Sequence, residues 1–136
     1  MLTNQGIISF VVGGATPIPA GARVKFDAGT ANAVVVAAHG DAEIGTAILY
    51  SGKDSYAVGD AVGVKLNNAP GSRHVIANSV FALQTGGAPT VLKRDDNGAV
   101  SDVAAGTAYA IALEAPSAVG DIVEALACPP FTLPAA

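Results

Sequence analysis

Ile111-Ala112-Leu113-Glu114-Ala115-Pro116-Ser117-Ala118-Val119-Gly120-Asp121-Ile122-Val123-Glu124-Ala125-Leu126 reads as strand, tight turn, strand. Ala110 to Leu113 is short and apolar, Pro116 and Ser117 break it, and Gly120-Asp121 turns the chain into a second run. In Ile122-Val123-Glu124-Ala125-Leu126 one charge is flanked by apolar residues, the pattern of a strand with one wet face. The same wording occurs earlier, where Ala57-Val58-Gly59-Asp60-Ala61-Val62 matches Ala118-Val119-Gly120-Asp121-Ile122-Val123. A fainter third copy is Pro19-Ala20-Gly21-Ala22-Arg23-Val24. Gly21, Gly59 and Gly120 each stand where a turn into a strand needs a residue free to take positive φ. The chain is built from re-used units of turn and strand.

At 136 residues the chain is expected to be one domain, burying roughly two thirds of its unfolded surface. It is 51% hydrophobic yet only 13% charged, about half the usual share. That imbalance suggests that part of the surface is covered by an oligomer or a large scaffold. With 5% aromatic residues and no Trp, the core must be packed from Val, Ala, Ile and Leu. The net charge is −4 and no run of Lys or Arg occurs, which argues against nucleic acid as a partner. One cysteine, Cys128, excludes an internal disulfide and a cysteine-based zinc site. Ile7 to Val12 is too short to span a membrane, and no Lys or Arg precedes Arg23 as a secretory signal would require. Assembly in a cytoplasm is the expected setting.

The order of signals divides the chain into an N-terminal arm (1–17), a β domain (18–127) and a proline-rich tail (128–136). Ile7-Ile8-Ser9-Phe10-Val11-Val12 is a strand within the arm, and Pro17 and Pro19 lead into the domain as an extended segment. Arg23 to Phe26 alternates charged with apolar and reads as half-buried. Ala33 to Ala38 suits a strand buried on both faces. Further strands are expected at Ile44 to Tyr50, up to Leu66 after the Gly59-Asp60 turn, and at Arg73 to Ala77, Val80 to Gln84 and Thr90 to Lys93. Asn97-Gly98 signals a type I′ hairpin turn, after which Ala99 to Val103 pairs back. Strands at this spacing indicate an all-β fold, a single sandwich or barrel of short strands. A short helix within Ser101 to Ala112 is the competing reading, opposed by Gly106 and its β-branched neighbours.

No group of residues carries an evident chemistry. His39 with Asp41 is half of a metal site at most, and a lone surface imidazole is the simpler reading for His39 and His74. No Gly-x-Ser-x-Gly elbow occurs, and Gly52-Lys53-Asp54 lacks the spacing of a phosphate loop. Asp95, Asp96 and Asp102 lack the alternating ligands and closing Glu of a calcium loop. Asp60 and Asp121 are expected to bond the amides of their own turns rather than to form a catalytic pair. Cys128 has no basic neighbour to activate it. Catalytic, cofactor and metal sites are therefore all expected to be absent.

The Gly21-Ala22-Arg23-Val24-Lys25-Phe26, Tyr56-Ala57-Val58-Gly59-Asp60-Ala61-Val62 and Asn67-Asn68-Ala69-Pro70-Gly71 segments resemble small capsid decoration (cement) proteins of tailed bacteriophages. The resemblance is strongest from Gly106 through Leu126 and covers most of 18–127. It implies a non-enzymatic virion protein on the outer surface of an icosahedral capsid, a homotrimer that bridges major capsid protein subunits and needs no cofactor, membrane or nucleic acid. On that reading Leu2, Ile7, Ile8 and Phe10 are the capsid-docking candidates, since an extended arm can add to a sheet edge on the capsid subunit. The competing assignment keeps Ile7 to Val12 in the domain's own sheet. Gly21, Gly59, Asp60, Asn97, Gly98, Gly120 and Asp121 are structural turns. Two rival functions stay open: a fibre or tail accessory protein that binds a host surface, and a small β-barrel enzyme or ligand carrier with a polar pocket.

Overall fold

The Ile111–Leu126 hairpin is present as two paired strands in the computed structural model, which describes residues 6–50, 53–69, 71–83 and 87–127. Strands β1 to β7 are Ile7–Val12, Ile18–Pro19, Arg23–Phe26, Ala33–Val36, Gly45–Ala47, Ser55–Tyr56 and Ala61–Leu66. Strands β8 to β12 are Ser72–Ile76, Val91–Arg94, Val100–Ser101, Ala108–Ala112 and Ile122–Ala127. β11 and β12 pair antiparallel with Ile111 opposite Leu126 and Ala112 opposite Ala125. The segment that might have held a helix consists of bends followed by strand β11, and the fold is all-β.

β1, β4, β3, β5 and β7 close into a barrel in that order. β10, β9, β11, β12 and β8 form a second five-stranded sheet. The ends of that sheet meet through a single parallel bridge between Ala77 and Val100, so it too returns on itself. The two halves share one topology: β1, β3, β4, β5 and β7 correspond in turn to β8, β9, β10, β11 and β12. Hydrogen bonds fix the correspondence residue by residue. Gly13 N–H donates to Val34 O as Asn78 N–H does to Val100 O, at 2.9 and 2.7 Å. Asp27 N–H donates to Ala33 O as Asp95 N–H does to Ala99 O, and Ile48 N–H to Gly63 O as Leu113 N–H to Glu124 O. The inward positions then match as Val12 with Ala77, Val24 with Leu92, Val34 with Val100, Ala47 with Ala112, Val62 with Val123 and Val64 with Ala125. All twelve are buried. Each half has its own small aliphatic core, as the shortage of aromatic residues demands.

The repeated words of the sequence are one repeated turn. Ala22, Asp60 and Asp121 donate their N–H groups to Pro19, Ala57 and Ala118 O, closing four-residue turns. The glycine in third place takes φ of 86°, 91° and 98° respectively, which a Cβ would make costly. Each turn is pinned to the end of a neighbouring strand by a reciprocal pair: Gly21 and Ala22 with Ala47, Gly59 and Asp60 with Val12, Gly120 and Asp121 with Ala77. Asp60 Oδ2 also accepts from Ala57 N–H at 3.2 Å, and Asp121 Oδ2 from Ala118 and Ser117 N–H at 3.1 and 2.8 Å. In the β9–β10 hairpin Asn97 and Gly98 take φ of 57° and 74°, and Ala99 N–H donates to Asp96 O, the geometry of a type I′ turn.

Three expectations need correction. Ile7–Val12 is no arm but an integral barrel strand, paired with β7 from Ile7 opposite Lys65 to Val11 opposite Ala61. Burial decides this, because Val12 and Phe10 fill the interior of the first barrel. Val80 to Leu83 is irregular, and Gln84 lies outside the described residues. Phe81 is instead a core plug of the second half, held where Thr90 Oγ1 donates to Ala82 O. Arg23 to Phe26 departs from the expected burial at its two ends, with Arg23 fully buried and Phe26 58% exposed, while Val24 is buried as expected.

Removing residues 1–12 deletes a barrel strand, so the truncated chain is expected to lose amide-exchange protection at Val62 and Val64. Full protection there would mean that the first barrel closes without β1. Asp60→Ala and Asp121→Ala should each cost about 1 kcal/mol in urea unfolding and add in the double variant, since the turns are remote from one another.

Candidate docking surface and the seam between the barrels

All three arginines of the chain lie at the join of the two halves. Arg23 stands on the outward face of β3, where the second half covers it completely. Its Nε donates to Ala99 O at 3.1 Å and its Nη2 to Asp95 O, gripping both ends of the β9–β10 hairpin. Nη1 faces the Glu43 carboxylate at 4.0 Å. Arg94 Nε donates to the same carboxylate, whose side chain is 3% exposed. The Arg94 and Arg23 guanidinium groups lie 5.3 and 5.9 Å from the centre of the Tyr109 ring.

Hydrogen bonds extend this cluster. Asn67 Oδ1 can only accept, so Tyr109 OH donates to it, at 3.2 Å, and Thr46 Oγ1 donates to the Tyr109 oxygen. Asn67 Nδ2 donates to Glu43 O at 3.1 Å. Arg73 donates to Leu66 and Ala69 O, holding the chain that joins the barrels. Burial lowers the Arg23 pKa against the opposing field of Glu43, and burial raises that of Tyr109. The seam sets three guanidinium groups against the Glu43 carboxylate, and the carbonyls of Ala99, Asp95, Leu66 and Ala69 accept from Arg23 and Arg73.

The remaining candidates are placed as follows. On β1 the inward series is Ile8, Phe10 and Val12, and Ile7 lies on the outer face near Ile48. Leu2 lies outside the described residues. β4 reaches only Val11 and Val12, so beyond them the edge of β1 facing away from β7 has no strand beside it among the described residues. The barrel splays there. Ile8 is 40% exposed at the opening, and the rings of Phe10 and Phe26 meet edge to face at 5.8 Å.

Polar groups that might have served chemistry are committed elsewhere. His39 Nε2 lies 2.9 Å from Ala105 O. Asp41 takes an ion pair from Lys25 at 2.7 Å and the Ala38 N–H at 2.8 Å, which hold its carboxyl below the usual range. His74 stands on β8 opposite Glu124. Asp102 turns to Ser79 Oγ at 2.7 Å while Asp95 caps its own hairpin, so the two do not converge. Asp60 and Asp121 belong to different barrels. A cleft of about 460 Å³ is lined by His39, Asp41, Glu43, Arg94 and Thr107, and its charges are paired with each other or with Lys25. No group of three or more His, Cys, Asp or Glu gathers among the described residues. Cys128 lies outside them.

No family model matches the chain, and no curated protein matches it. One solved structure with the same fold is the head fiber gp8.5 N base of bacteriophage phi29. The TM-score is 0.57 at 17% identity, over 90% of this chain and 94% of that one. The likeness therefore extends over both barrels, and at this identity it is one of fold.

Glu43→Ala leaves two arginines facing each other without a carboxylate, and is expected to cost about 3 kcal/mol in chemical unfolding. Burial alone would raise the Asp95 pKa, but bonds from Asp96 N–H, Asn78 and Ser101 outweigh it and the net shift is downward. Its stabilising effect is present above the unfolded pKa of about 3.9 and lost as pH falls through the lower folded value. Asp95→Asn should accordingly show a flatter loss of stability between about pH 5 and about pH 2.

Proposed function

We propose that the chain is a non-enzymatic structural protein of a phage virion, which binds the outer surface of an icosahedral head as a homotrimer and stabilises it by bridging major capsid protein subunits. The observation that carries this is the two-barrel likeness to a phage head fiber base, over nearly the full length of both chains. The decoration-protein resemblance in the turn and strand wording points the same way on separate grounds. Weak contacts suffice for such a role, because each oligomer touches several subunits and many copies act on one lattice. Every charged group lining the cleft beside Glu43 is already engaged, which favours binding by surface over chemistry in a pocket.

A second reading has one specific observation in its favour. The phi29 structure is described as part of a head fiber, so this chain can equally be the base of a fibre whose outer parts meet a host surface. The two readings share attachment to the head and differ in what lies beyond it.

Co-sedimentation of the purified chain with expanded, undecorated cognate capsids separates them from the rest. Saturable binding at a fixed ratio to the major capsid protein is expected, with raised resistance of the shells to heat. Absence of binding would overturn both readings, and binding that leaves the resistance of the shells to heat unchanged would favour the fibre base.

A further inference from the structure

The two barrels meet through surfaces that do not correspond. The first barrel contributes the outer face of β3 and β5, where Arg23 and Thr46 are cross-strand neighbours. The second contributes its mouth: the β9–β10 hairpin tip, Arg94, Arg73 and the β8 strand. Gly98 at that tip lies against Val36 and Ala22, and Gly21 lies against Val75 and Ile76. A twofold relation would require the reverse contacts as well. Those are missing, since the matching β3–β4 hairpin tip is exposed from Ala28 to Asn32 and Val11, the match of Ile76, is 43% exposed. The internal join is head to tail.

Among the described residues a head-to-tail join leaves one unused surface of each kind, and both are apolar. The unused mouth is that of the first barrel. Its Ile8, Phe10 and Phe26 occupy the places of Arg73, Val75 and Arg94, and Ile8 and Phe26 are 40% and 58% exposed. The unused outer face is that of the second barrel. Val91, Ile111 and Leu126 stand side by side across β9, β11 and β12, in the places of Arg23, Thr46 and Lys65. Leu126 is 41% exposed and the other two are half-buried. In the first half the equivalent row is polar because it meets the polar mouth of the second. In the second half the row is apolar, matching the apolar mouth of the first.

We propose that this chain self-associates head to tail, with the Val91–Ile111–Leu126 row of one copy seated on the Ile8–Phe10–Phe26 mouth of the next. The contact repeats between copies the join already present between the barrels. Heterologous contacts of this kind close into a ring or run on as a filament, and a ring gives a particle of defined mass. The apolar mouth on β1 is then taken by a second copy and not by the capsid subunit. The proposal rests on the internal join and not on the shell, so it stands or falls separately from the assignment to a virion.

The test is the mass of the free full-length chain by light scattering and sedimentation, without capsids. The wild type is expected at a multiple of its 13.3 kDa protomer. Phe26→Glu and Leu126→Glu should each reduce it to the protomer while keeping a β-rich circular dichroism spectrum. If either fails to fold, Phe26→Ser and Leu126→Ser take their place. An equimolar mixture of the two variants should form a species of two chains and nothing larger, because it offers one intact mouth and one intact row. A monomeric wild type would overturn the proposal. So would a mass affected by one variant only, or a mixture that stays monomeric.

Discussion

Everything in this structure depends on how a charged seam is buried between two small barrels. Arg23 and Glu43 give up water together beside a half-buried Arg94, and charges are costly to bury unless each finds partners. Here the compensation comes from geometry. Arg23 spans the two ends of the β9–β10 hairpin, Glu43 lies between both guanidinium groups, and Tyr109 offers its ring to two cations and its hydroxyl to Thr46 and Asn67. An apolar join of similar area would hold the barrels as firmly. What the polar one adds is a fixed orientation, because carbonyls and carboxylates accept their donors only along particular directions.

Two copies of one barrel topology are set head to tail within a single chain, so the molecule shows two different faces at its ends. The first barrel presents an open mouth with Phe10 and Phe26, where β1 parts from β4. The second presents an apolar row on its outer sheet. The phi29 head fiber base follows a similar course of chain at 17% identity, so two quite different sequences satisfy the same fold. Small aliphatic residues at alternate strand positions and a glycine at each tight turn are the main requirements.

Much of the local structure was legible. The Gly120-Asp121 turn and its hairpin follow from short-range rules, because a glycine with positive φ and an aspartate bonding back to its own turn act within a few residues. The match between Ala57-Val58-Gly59-Asp60 and Ala118-Val119-Gly120-Asp121 is one turn used twice, pinned to Val12 in one half and Ala77 in the other. The duplication of the whole barrel was not legible. Its equivalent positions pair Val24 with Leu92, Phe26 with Arg94 and Thr46 with Ile111, residues alike in placement but not in kind. The burial of Arg23 was equally hidden, for alternation along β3 assigns it to one face without saying that a second barrel covers that face. A charge within a strand of so sparsely charged a chain was the available signal.

By itself the sequence determined an all-β chain of short strands, the sites and chemistry of its turns, and a composition poor in charge and in aromatic residues. Those properties depend on neighbours in the chain and on composition. The tertiary structure decided that Ile7–Val12 closes a barrel, that the five-stranded unit occurs twice, and that the three arginines meet at one seam. Each of these joins residues far apart in the chain, such as Arg23 with Ala99 or Val12 with Asp60. Pairing across such distances is set by which faces can be buried together, and no local pattern encodes it.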